Sequence, residues 1–90
     1  MLNKMIEQAF YSHLKKNYNI KKYENYFSPQ ERMELYMYAN SNGYKVEFDN
    51  KKITIERYGK VVAIAEYVFS NLISKYNNRL IPKSYNITRI

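Results

Sequence analysis

The stretch GYKVEFDNKKITIERYGK, residues 43–60, decides how this chain folds. Tyr44, Val46 and Phe48 alternate with Lys45 and Glu47, and Ile53 and Ile55 alternate with Thr54 and Glu56. A period of two places alternate side chains on opposite faces, so these segments read as two half-buried strands joined by a polar turn. Two registers satisfy the pattern. A turn at Asp49-Asn50 sets Val46 opposite Ile53 and Glu47 opposite Lys52; a turn at Asn50-Lys51 sets Phe48 opposite Ile53 and Lys45 opposite Glu56. They differ by two residues, so each keeps the apolar set on one face and pairs opposite charges on the other. A hairpin over 44–57 is expected with either turn.

Upstream, SPQE at 28–31 is a helix start. The Ser28 hydroxyl is placed to accept from the Glu31 N–H, the Glu31 carboxylate from the Ser28 N–H, and Pro29 stands where a missing N–H costs nothing. NSNG at 40–43 is the stop, with Gly43 suited to the left-handed residue after the last turn, which predicts a capped helix over 29–42. Met5, Ile6, Ala9, Phe10, His13 and Leu14 recur at helical spacing and predict a first helix within 1–18. Between them, residues 20–27 read as a short helix or turn.

Downstream, Tyr58-Gly59 offers another turn and Lys60–Ala63 a third strand. From Val61 onward, however, apolar positions 61, 64, 65, 68, 69, 72, 73 and 76 also share one broad helical face. The reading adopted is a short strand, then a C-terminal helix over 65–77 closed by Asn77, Asn78 and Pro82. A tail over 80–90 alternates weakly at Tyr85 and Ile87, as an edge strand or a mobile end would. The expectation is one α+β domain spanning 1–90: helices, then a β-hairpin or three-stranded meander, then a helix.

Ninety residues hold one modest core, and a 46% apolar, 26% charged composition is that of a folding chain. With no cysteine, disulfide and thiolate chemistry are excluded, which fits a reducing compartment. The longest apolar run, VVAIA at 61–65, is far short of the ~20 residues that span a bilayer, and the opening MLNKMIEQAF lacks a signal peptide's apolar stretch. A cytoplasmic location without a membrane partner is expected.

Fifteen Lys and Arg against eight Asp and Glu give +7. Residues 1–22, 45–60 and 75–90 are net positive, whereas 23–44 and 61–74 are net negative. A small chain this basic meets nucleic acid, an anionic surface or an acidic protein. Asn, Lys and Tyr each occur eleven times, and an AT-rich genome gives the same bias without any ligand. Catalysis is not expected: one His, one Asp and no Cys leave no nucleophile, base and orienting group to combine. His13 lies on the apolar stripe of the first helix, where a packed histidine is the ordinary outcome. No metal or other cofactor and no small-molecule substrate is expected, since isolated glycines and a single histidine build neither a phosphate loop nor a zinc site.

The order helix, short helix, capped helix, basic hairpin over residues 3–60 resembles winged helix-turn-helix domains. In size and Lys/Asn/Tyr-rich composition the chain is similar to the TcpK-type accessory proteins of clostridial conjugative plasmids. That resemblance implies sequence-specific binding to double-stranded DNA in plasmid conjugation or a related mobile element, by a homodimer. The capped helix, which would enter the groove, carries Glu31, Arg32 and Glu34 and is net acidic, so phosphate repulsion opposes its entry. Contact is therefore assigned mainly to Lys51, Lys52, Arg57 and Lys60 of the hairpin, helped by Lys21, Lys22, Arg79 and Lys83. Gln30 and Arg32 are the candidate base readers, Arg32 by bidentate contact with guanine. Each of these cations also has a plain role as a solvated charge or an edge guard. The alternative reading is a small phage- or plasmid-encoded inhibitor that places its basic surface in an acidic groove of a host protein.

Overall fold

The computed structural model describes residues 1–90. Helix α1 spans Leu2–Tyr18, a single 3-10 turn covers Lys21–Tyr23, and α2 spans Pro29–Ser41. Four strands follow, β1 Tyr44–Phe48, β2 Lys52–Arg57, β3 Lys60–Ile73 and β4 Leu80–Arg89. They form one antiparallel meander in the order β1-β2-β3-β4. The α+β class and the capped helix are as read from the sequence. Both halves of the capping box form, with Glu31 N–H donating to Ser28 Oγ at 3.1 Å and Ser28 N–H to Glu31 Oε1 at 3.2 Å.

The C-terminal half differs from expectation. Residues 65–77 are not a helix: β3 continues to Ile73 and residues 74–79 make a loop, while the tail takes the edge-strand alternative, paired along β3. Val61, Val62, Ile64, Tyr67, Val68, Phe69 and Ile73 are β-branched or aromatic, and these side chains fit a pleated surface better than a helix. Within residues 20–27, read as a short helix or turn, a single 3-10 turn forms at Lys21–Tyr23.

One face of the sheet is covered by α1. Met5, Ile6, Ala9, Phe10, His13 and Leu14 are buried against Ile53 and Ile55 of β2 and Ala63, Ala65 and Tyr67 of β3. The pairing Phe48 with Ile53 and Lys45 with Glu56 resolves the hairpin register in favour of the Asn50-Lys51 turn. Asp49 fixes it by accepting from the N–H groups of Lys51 at 2.7 Å and Lys52 at 2.9 Å. Those bonds hold the Asp49 carboxyl below its ordinary pKa. Helix α2 is peripheral, with Leu35 its only buried residue. No helix is long and apolar enough to cross a membrane.

Gly43 joins α2 to the sheet at φ +73°, and a β-carbon there would run into the Tyr58 ring. Tyr58 N–H donates to Gly43 O at 3.0 Å, so the β2–β3 turn is fastened to the helix exit. Gly43→Ala should therefore destabilise the fold by about 1–3 kcal/mol, the cost of a strained left-handed residue, with the ring displaced as well. Urea denaturation of both proteins measures it, and an unchanged midpoint would contradict the arrangement.

Candidate nucleic-acid interface

Antiparallel strands send successive turns to opposite ends of a sheet, and this divides the hairpin's cations. Lys52 and Arg57 stand at the two ends of β2, about 17 Å apart at ~3.4 Å per residue. Lys51 and Lys52 lie at the β1–β2 turn, whereas Arg57 and Lys60 flank the β2–β3 turn. The four do not form one patch.

The Lys51 end gathers other cations instead. Lys51 O accepts from Tyr67 N–H at 2.9 Å, which fixes the β1–β2 turn beside the middle of β3. Beyond that point β3 pairs only with β4, and the two strands project as a ribbon. The loop at its tip returns to the end of α1, where Asn77 Nδ2 donates to Asn17 O at 2.6 Å. Lys15 and Lys16 occupy the last turn of α1, Lys21 and Lys22 the following 3-10 turn, and Lys75 and Arg79 the ribbon loop. Eight cations thus lie on the half of the molecule away from the β2–β3 turn, together with Glu24 and Asp49. Only Lys15 among them has an ion-pair partner, Glu24 at 3.9 Å, and that pair is half exposed. Asp49 accepts the backbone N–H groups of Lys51 and Lys52 through Oδ1, and a cleft of about 370 Å³ beside Lys15, Lys16 and Lys21 is lined wholly by polar residues.

Lys21, Lys22, Lys51, Lys52 and Arg79 therefore lie on the same half of the molecule. Lys15, Lys16 and Lys75 join them unanticipated, because their proximity depends on the ribbon turning back to α1. Lys83 stands apart on exposed β4. Arg57 is structural at the opposite end: its guanidinium lies 5.0 Å from the Tyr44 ring centroid, and Nε donates to Asn42 O at 3.1 Å. The candidate base readers are also occupied, Arg32 donating to Phe27 O at 2.8 Å and Gln30 to Glu34 at 3.2 Å.

Beneath the cationic end lies His13. It is buried, stacks on Tyr67 with centroids 5.0 Å apart, and meets Tyr18 and Phe48 edge-on. Nδ1 is 2.9 Å from Asn17 Nδ2, which makes Nδ1 the acceptor and assigns the proton to Nε2. Burial lowers the His13 pKa; Asp49 opposes that shift and Arg79 adds to it. A lowered folded-state value means that the unfolded chain takes up the proton first. His13 thus stabilises the fold above the ordinary histidine pKa of about 6.5, and that contribution is lost progressively below it until the lowered folded-state value is passed. The melting temperature should fall between pH 7 and pH 5, a range in which no other side chain of the protein ordinarily titrates, and His13→Leu should flatten the dependence. A wild-type profile flat across that range would contradict a neutral buried His13.

Compared with protein families, with curated proteins and with solved structures, the chain matches none.

Proposed function

We propose that the chain is a non-catalytic protein that binds double-stranded DNA through the end at which α1, the β1–β2 turn and the β3–β4 loop converge. The observation that carries this reading is the placement of eight cations from four separated segments on one half of the molecule, with one weak ion pair among them. Clustered like charges repel, and phosphates relieve that repulsion while releasing their own counterions. Phosphate contact of this kind positions a protein on the duplex. Sequence preference would then come from groups that reach the bases or from deformation of the duplex. An accessory or regulatory role in a mobile element, such as a conjugative plasmid or a phage, and action as a homodimer rest on the resemblance in element order and are the narrower part of the proposal.

One observation favours a protein partner instead. The outer side of α2 exposes Met33, Tyr36 and Met37, and an apolar cleft of about 420 Å³ lies between α1, α2 and β1. An inhibitor that meets an acidic host groove with its lysines would use both surfaces.

Titration of a labelled duplex with salt separates the two readings. A DNA-binding end should give log K falling linearly with log salt, by ~0.9 for each phosphate contacted, and tighter binding to one sequence than to its scramble. Lys51→Ala with Lys52→Ala should reduce the slope by about 2, whereas Lys60→Ala and Glu34→Ala should leave it unchanged. Sequence-blind binding that vanishes near physiological salt would overturn the proposal. Equal loss from Lys60→Ala would remove the assignment to this end.

A further inference from the structure

The ribbon formed by β3 and β4 carries a feature that phosphate contact does not use. Leu72 is 68% exposed, Ile73 64% and Tyr76 64%, and the loop that follows β3 carries Lys75 and Arg79. The three exposed residues do not belong to a loose tip. Ser74 N–H donates to Arg79 O at 2.8 Å, Asn78 N–H to Ser74 O at 2.9 Å, and Asn77 ties the loop to α1. The register is broken between Phe69 and Ile73. Ser70 holds the irregular segment, its hydroxyl donating to Ile81 O at 2.8 Å and accepting from Leu72 N–H at 3.1 Å. A bulge re-aims the side chains beside it. Here the bulge leaves two aliphatic side chains exposed on a hydrogen-bonded ribbon whose loop carries Lys75 and Arg79.

Resting on the DNA-binding reading, we propose that Leu72 and Ile73 form an apolar wedge that enters a base step of the bound duplex and bends it, with Lys75 and Arg79 holding the phosphates on either side. A wedge must be stiff, because a flexible one would fold aside instead of separating stacked bases. It must also be apolar, so that the exposed base faces are covered rather than hydrated. Insertion of this kind kinks DNA by roughly 20–90°, and it costs least at pyrimidine–purine steps, which unstack most easily. The ligand is thus a duplex with a deformable step such as TA, selected through its deformability.

A short duplex with a central TA step and a donor–acceptor pair at its ends tests this with the full chain. Saturation with the wild type should raise energy transfer between the ends. Leu72→Ser with Ile73→Ser should bind with the same salt slope and without the rise, whereas Leu72→Met with Ile73→Met, which keeps the apolar bulk, should retain it. Binding by the wild type with unchanged transfer overturns the wedge alone, as does an equal rise with the serine variant. Capture by anionic lipid vesicles that depends on Leu72 and Ile73, without duplex bending, also overturns it. Absence of duplex binding at low salt overturns the DNA-binding reading itself.

Discussion

The structure depends on how closely α1 approaches the middle of the sheet. Ala63 and Ala65 of β3 are fully buried beside Ile53 and Ile55 of β2, so small side chains leave room for the large ones of the helix. Phe10 uses that room, lying tilted against Tyr67 at 5.6 Å and edge-on to Tyr85 at 4.9 Å. Cores of this density tolerate little change in volume. The seat of α1 therefore sets where its C-terminal lysines emerge, and where Asn17 can receive the ribbon loop.

Elements specified by local chemistry were legible in the sequence. The capping box at Ser28 and Glu31 and the stop at Gly43 bound α2 to within a residue, because each signal acts through neighbouring backbone groups. The hairpin register was also written there, in Asp49: aspartate opening a turn accepts from the N–H groups two and three residues on, which favours the Asn50-Lys51 turn. The run 61–76 was not legible from periodicity. A nearly continuous apolar segment satisfies a helical stripe and a buried strand equally, and pairing with β2 on one side and β4 on the other decided the outcome. The abundance of Val, Ile, Tyr and Phe was the local signal pointing the same way.

The candidate interface was legible only as a set of charges. Sequence order placed Arg57 and Lys60 with Lys51 and Lys52, yet a strand separates the pairs, and Arg57 is engaged with Tyr44 and Asn42. Lys15 and Lys16 had a sufficient local role at the negative end of the α1 dipole. Their place beside the ribbon loop follows from long-range contacts such as that between Asn77 and Asn17, sixty residues apart. Long-range contacts of this kind have no periodic trace.

Two polar atoms mark a cost at that same end. His13 Nε2 and Tyr67 Oη are buried without a hydrogen-bond partner in the protein, and burial raises the Tyr67 pKa as it lowers that of His13. Unpaired buried polar groups destabilise a fold by roughly 1–3 kcal/mol each. Replacement of both by apolar rings would relieve that cost. His13 is kept neutral chiefly by burial, with Asp49 opposing that shift and Arg79 adding to it. The same helix carries Lys15 and Lys16 in its last turn. The packing of α1 thus supports the charge density on which the proposed contact relies.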